Sequence, residues 1–367
     1  MLKIGYDAKR YFLNKTGLGN YSRDLIRILQ EFYPENKYIK YSPKVLDQSI
    51  TNNTDNKLPK GFLNNLFKSI WRNSWIIKDL KRDGIEIFHG LSGEIPNGLK
   101  EAGIKSVVTI HDLIFLRYPE LYKPFDRWIY NQKFKFAAIH ADKIIAISQQ
   151  TKNDIIQYYK IPAEKIEVIY QGCHPAFKTI KTEEQKQFIK KKFDLPDKFL
   201  LNVGSLERRK NAFQIVKAIE TLDIPLVLVG KETAYSEEIR KFLKEKNMEG
   251  RVFFLKGLSM EELAIVYAMA SIFIYPSKFE GFGIPIIEAL YSGIPVVTTN
   301  SGVFPEAAGP FSYYINPEHP EEIKKAIIAI LNSESMRMEM INKGHEYVQH
   351  FNDDKIAERL IKLYQSI

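Results

Sequence analysis

Two successive runs of short apolar segments, alternating with amphipathic ones, predict an α/β protein of two doubly wound domains. The predicted strands are apolar on both faces, as parallel strands covered by helices on each side must be. Histidines and glycines recur at their carboxyl ends, where such sheets bind ligands.

The first run opens with the strand Leu2–Tyr6, followed by a Gly-bearing turn and a helical rhythm at Leu25, Ile28, Leu29 and Phe32. Ile85–His89 and Lys105–His111 each read as a strand ending in a histidine. Lys143–Ser148 is a strand with a helix after it, and Glu167–Tyr170 leads to the breaker pair His174-Pro175. From there to about Pro196 the chain is charged and locally helical, which suits a domain connection. The second run has strands at Phe199–Gly204, Pro225–Gly230, Val252–Leu255, Ile272–Tyr275 and Ile294–Thr299. Helices are expected between them, at Asn211–Thr221 and Ser236–Lys246 among others.

At 367 residues and 45% hydrophobic, the chain is long enough for two cores. Its single cysteine, Cys173, excludes an internal disulfide and a cysteine metal cluster, and fits a reducing compartment. No window approaches the roughly 20 apolar residues that span a bilayer. The opening residues carry no apolar stretch of signal-peptide length, so a soluble cytoplasmic protein is expected. The net charge of +9 is uneven: residues 1–175 hold 27 Lys and Arg against 18 Asp and Glu, while the remainder balances. The first half therefore suits an anionic partner, unless the charge serves solubility alone.

Two segments carry the chemistry. Ser277-Lys278-Phe279-Glu280-Gly281-Phe282-Gly283-Ile284-Pro285 leads into a helix containing Glu288. Pro285 suits a first helical turn. The glycines let backbone N–H groups approach a ligand at a helix N-terminus, a ready anion site. Carboxylates such as Glu280 and Glu288 accept hydrogen bonds in pairs, which vicinal sugar hydroxyls present. The second segment, Val203-Gly204-Ser205-Leu206-Glu207-Arg208-Arg209-Lys210-Asn211, sets three cations at a strand's carboxyl end, where a diphosphate can be clamped.

Together these segments resemble the retaining glycosyltransferases of family 4. Thr16-Gly17-Leu18-Gly19-Asn20-Tyr21 is similar to the family's first glycine loop, and Thr109-Ile110-His111-Asp112-Leu113 to its Thr-Ile-His-Asp-Leu segment. The resemblance implies the GT-B architecture, two Rossmann-like domains facing a central cleft. Residues 1–175 would take the acceptor and residues 176–350 the nucleotide sugar, with 351–367 a helix packing back on the first domain. It implies His111 and Glu280 as catalytic residues, with Glu280 and the amides of Gly281, Phe282 and Gly283 on the transferred sugar. Glu288 would hold the ribose. Arg209 and Lys210 would hold the donor pyrophosphate, aided by the helix start at Gly17 and Gly19; Arg208 stands where a proline is common and is secondary. His89 is a weaker candidate for the acceptor side.

The implied reaction moves a hexose such as mannose or glucose from a GDP- or UDP-sugar to a glycan or polyprenyl-diphosphate-linked acceptor, in surface polysaccharide synthesis. Retention is expected through front-side attack, the leaving phosphate taking the acceptor proton. No metal is expected, since paired cations can do its electrostatic work. A nucleotide-sugar epimerase, or a non-catalytic nucleotide-binding protein, is the alternative on the same fold. Nucleic acid is not an expected partner, because no recognition motif or interleaved stacking aromatics are present. The segment Phe62–Arg82 mixes aromatic, aliphatic and basic residues on a helical pattern, which suits contact with the anionic inner face of the cell membrane as well as a helix packed on the sheet.

Overall fold

The computed structural model describes residues 1–14, 16–45 and 55–367. The chain divides into two units: unit 1 is Met1–Gln171 with Phe351–Ile367, and unit 2 is Gly172–His350. The first crossing thus falls between Gln171 and Gly172, slightly ahead of His174-Pro175. The helix Asp353–Gln365 belongs to unit 1.

Among the described residues, unit 1 holds a seven-stranded sheet in the order β3-β2-β1-β4-β5-β6-β7. Its strands are β1 Lys3–Asp7, β2 Lys37–Tyr41, β3 Asn56–Lys57, β4 Ile87–Gly90, β5 Lys105–Ile110, β6 Lys143–Ala146 and β7 Ile166–Val168. Unit 2 holds six strands in the order β10-β9-β8-β11-β12-β13. These are β8 Leu200–Val203, β9 Leu226–Val229, β10 Val252–Leu255, β11 Ile272–Tyr275, β12 Val296–Thr299 and β13 Tyr313–Ile315. All pairings within both sheets are parallel. Every residue of β8, β9, β11 and β12 is buried, which is why these strands read as unbroken apolar runs.

Three strands were not legible in the sequence. In β2, Lys37 and Lys40 interrupt the apolar pattern, yet Tyr38, Ile39 and Tyr41 are buried beside β1. β3 and β13 are two- and three-residue edge strands, too short to show a period. The stretch expected as a connection before Pro196 is instead part of unit 2. Thr182 and Gln185 form a reciprocal cap at the start of a helix Glu183–Phe193, whose Ile189 is buried and whose Lys192 pairs with Glu262.

Phe62–Arg82 is not one helix. It comprises short helices Phe62–Leu66 and Lys68–Ile70, a π-helical turn Trp71–Trp75 and a helix Ile76–Asp83, with a break at Phe67 (φ −107°, ψ 51°). Trp71, Ile76 and Leu80 enter the core, whereas Phe62, Leu63, Leu66, Phe67 and Ile70 are exposed.

The Asp353–Gln365 helix closes unit 1 with polar groups as well as apolar ones. Its Tyr364 hydroxyl meets Nδ1 of His89 at 2.7 Å and the Tyr6 hydroxyl at 3.4 Å. The other ring nitrogen of His89 meets Thr109 Oγ1 at 2.8 Å, and Thr109 in turn meets the Tyr21 hydroxyl at 3.0 Å. Burial lowers His89 to about 3, so the ring is neutral and both nitrogens are satisfied. Tyr364→Phe strands Nδ1 without a partner in a fully buried site. A loss of about 1–3 kcal/mol of stability is expected, read as a lower midpoint in urea.

Candidate active site

In unit 2 the loops after β8 and β11 are tied together at the backbone. The amide of Lys278 donates to the Arg209 carbonyl at 2.9 Å. This brings Arg209, Lys210 and Glu280 into direct contact. Glu280 Oε1 lies 2.6 Å from Lys210 Nζ and 3.0 Å from the Arg209 guanidinium, and accepts from Ser277 Oγ at 2.8 Å and Tyr275 Oη at 3.0 Å. Lys210 also donates to Tyr275 Oη at 2.6 Å, and Arg209 to the Phe279 carbonyl. Burial alone would raise the Glu280 pKa, but Lys210 and Arg209 outweigh it and hold the carboxylate at about 2. Glu280 is therefore a fixed anion and accepts hydrogen bonds only.

Arg208 points elsewhere, pairing with exposed Glu238 at 2.5 Å. The Phe282 side chain is buried, so what it can offer a ligand is its backbone. Beside Gly281, Gly283 caps the helix Ile284–Tyr291 with φ +123°, a conformation that side chains resist, and Pro285 lies in the first turn. Glu288 is buried in that helix, where its Oε2 accepts from the Tyr267 hydroxyl at 3.0 Å. Tyr275 interacts electrostatically with both Glu280 and Glu288. Tyr275, Ser277 and Tyr267 were not singled out in the sequence. The signal was there for the first two, because Tyr275 ends the strand that delivers the glycine loop and Ser277 lies in the loop itself.

In unit 1 the proposed groups also gather at strand ends. His111 follows β5, and its Nε2–H donates to the Leu91 carbonyl at 3.0 Å, which leaves Nδ1 as the lone-pair nitrogen. Burial lowers its pKa to about 4 despite the Leu91 bond, so the ring is neutral near pH 7. Tyr21 packs edge-on against it with centroids 4.6 Å apart. Tyr21 lies in the helix Gly17–Phe32, so His111 and the first glycine loop meet through this ring. The two glycines differ. A Cβ on Gly19 would fall 1.8 Å from the Asn14 carbonyl oxygen, and its amide already donates to the Thr16 carbonyl at 2.9 Å. Gly19 is thus a packing requirement, whereas a Cβ on Gly17 would meet nothing within 4 Å. Asp112 accepts from the Ile114 amide at 3.1 Å, a turn cap, and fully buried His89 offers no face to an acceptor.

Among the described residues no group of three or more His, Cys, Asp or Glu side chains could hold a metal ion, and no helix is long and apolar enough to cross a membrane.

Two parallel α/β units, each with charged side chains at its strand ends, place the chain in the doubly wound α/β class. The family model of Glycosyltransferase Family 4 matches residues 39–177, and that of Glycosyl transferases group 1 matches residues 183–347. The chain belongs to the family 4 glycosyltransferases. It is 26% identical to O-antigen chain mannosyltransferase B of Escherichia coli, over 95% of this chain and 96% of that one. It is 29% identical to the serotype-specific mannosyltransferase WbdA of Escherichia coli over 71% of this chain, which spans about a third (33%) of WbdA. The crystal structure of Anabaena HepE in complex with UDP has the same fold, with a TM-score of 0.79 at 16% identity over the whole of both chains.

The raised pKa of Glu288, pushed to about 7 mainly by burial, has a measurable consequence. Between about 4.5 and about 7 only the unfolded chain gives up this proton, so stability falls as pH rises through that window and the loss is complete above it. Glu288→Gln is neutral at every pH and can still accept from Tyr267. In thermal melts it should match wild type near pH 4.5 and exceed it by several degrees at pH 8. An unchanged difference between the two pH values would remove the carboxyl's charge as the cause.

Proposed function

We propose that this glycosyltransferase moves a hexose, mannose or glucose, from a GDP- or UDP-sugar to a glycan or polyprenyl-diphosphate-linked acceptor, with retention, in surface polysaccharide synthesis at the inner face of the cell membrane. The observation that carries the reading is the junction of Arg209, Lys210 and Glu280. Two cations and a permanently ionised carboxylate are held together at the carboxyl ends of β8 and β11. The similarity to O-antigen chain mannosyltransferase B supports a mannosyl group and a polysaccharide product, and HepE, which has also been solved with UDP-glucose, supports a nucleotide-sugar donor.

The roles follow from charge. As the bond from the sugar to phosphate breaks, negative charge grows on the pyrophosphate while the sugar takes on oxocarbenium character. Arg209 and Lys210 have donors to spare for phosphate oxygens and stabilise that growing charge. Glu280 accepts from hydroxyls of the transferred sugar, and Glu288 from those of the ribose. His111 is neutral, so its Nδ1 accepts a hydrogen bond from a sugar hydroxyl rather than presenting a cation. The leaving phosphate takes the acceptor proton, which needs no protein nucleophile. The basic, aromatic Phe62–Arg82 segment of unit 1 contributes the membrane contact, its exposed apolar residues flanked by Lys60, Lys68 and Lys78.

Removing both cations alone would leave Glu280 as an uncompensated, mostly buried charge. The matched test is therefore the triple variant Arg209→Ala, Lys210→Ala, Glu280→Gln, compared with Glu280→Gln alone. With UDP and GDP as titrants, the triple should lose affinity by tenfold to a hundredfold for each phosphate contact, about 1.5–3 kcal/mol apiece, while Glu280→Gln binds the nucleotide normally and fails in transfer. Unchanged nucleotide affinity in the triple refutes the assignment. A panel of GDP- and UDP-hexoses scored by thermal stabilisation identifies the donor.

His111→Ala should lower kcat with little change in nucleotide affinity, as expected for a contact made chiefly in the transition state. In the wild type the acid limb attributable to this ring should fall near pH 4, not near 6.5. Wild-type turnover in the variant would make His111 structural.

A further inference from the structure

Unit 1 exposes a second aromatic element besides Phe62–Trp75. The helix Pro124–His140 presents Phe125 at 70% and Trp128 at 59% exposure, their rings stacked with centroids 6.3 Å apart, and Leu121 stands exposed just before it. Tyr122 and Phe134 turn inward onto Phe115, so the helix is already anchored and its outer face is surplus to the core. Large apolar side chains grouped on a surface in this way mark a contact.

One carboxylate joins this helix to the Phe62–Arg82 segment. Glu94 Oε2 lies 2.6 Å from Arg72 of the π-helical turn and 3.3 Å from Lys133 of the 124–140 helix, and Arg72 is held from its other side by Asp7. The loop between them is bonded to the first limb, with the Asn97 amide donating to the Asn73 carbonyl at 2.8 Å. Both aromatic limbs are therefore fixed to the same loop. Their charge is complementary to an anionic surface. Residues 60–78 contain four basic residues and no acidic one, and the second limb sets Lys123, Arg127, Lys133 and Lys135 against Glu120 and Asp126.

We propose that the outer face of the 124–140 helix is a second membrane-docking limb, and that it and the Phe62–Trp75 segment, clamped through Glu94, seat unit 1 on a bilayer carrying anionic phospholipid. The inference rests on the membrane contact proposed above and adds the second point of attachment. Two points fix the rotation of the unit on the surface, which one limb leaves free.

The three tryptophans supply the test. Trp71 is buried, Trp75 lies on the first limb and Trp128 on the second. Intrinsic emission is followed while the protein is mixed with vesicles of brominated phosphatidylcholine and phosphatidylglycerol. Bromine quenches only an indole that enters the bilayer. Trp75→Phe and Trp128→Phe should each keep quenching from the remaining exposed indole, and the double variant should lose it. Arg127→Gln should weaken binding about fivefold, as added salt does. Quenching in Trp128→Phe but not in Trp75→Phe overturns the second limb and leaves the membrane reading standing. No quenching in either overturns both, as does binding indifferent to lipid charge and salt. A concentration-dependent doubling of mass that shields Trp128 without vesicles assigns the face to a second copy of the chain and overturns the proposal as well.

Discussion

Arg209 and Lys210 are neighbours in sequence, and both are largely removed from water at the end of a parallel strand. Like charges so placed repel strongly, because the screening that tames them in solvent is missing. Glu280 is what makes the arrangement tenable. Its carboxylate is ordered by two hydroxyls and two cations at once, and the loop that carries it is joined by a backbone hydrogen bond to the loop that carries them. The arrangement around Glu280 also sets the electrostatics of the site. It sets two cations beside a permanently ionised acceptor, with each charge holding the other in place.

The parallel sheets explain why such a site sits where it does. With both faces of every central strand covered, polar chemistry can leave the core only at strand ends. In unit 2 those ends supply Tyr275, Ser277 and the glycine loop. In unit 1 they supply His111, Gly19's close approach to Asn14, and the Asp7–Arg72–Glu94 ion pairs. One polar chain does run inside unit 1, through Tyr21, Thr109, His89 and Tyr364, and it is tolerated because each member has a partner.

Most of this is legible in the sequence, and for a physical reason. Buried parallel strands must be apolar throughout, so Leu226–Val229 and Ile272–Tyr275 stand out in the sequence. A glycine loop ahead of Pro285 leaves a mark just as plain. What escaped notice depended on tertiary context. The lysines of β2 hid a strand whose tyrosines are buried only because β1 lies beside them. The break at Phe67 is invisible to a helical pattern, since Trp71, Ile76 and Leu80 keep their spacing through a π-helical turn. His89 looked open to a ligand because nothing local announces that Tyr364, 275 residues away, comes to rest on its ring. The hydroxyls of Tyr275 and Tyr267 escaped because a strand or helix tyrosine reads as core until its partner is known.

That long separation bears on how the protein is made. Chains emerge from the ribosome at roughly 5–20 residues per second, so Tyr364 follows His89 by about a quarter of a minute to a minute. Every residue of unit 2 is translated within that interval, between the two parts of unit 1. Unit 2 can fold as soon as its own segment is out, because it is continuous in the chain. Unit 1 waits, with an imidazole and the Tyr6 hydroxyl lacking their partner and the apolar bed of the returning helix open to water. The unit that begins earlier is therefore completed later, and during that delay unit 1 is more in need of protection from aggregation than unit 2.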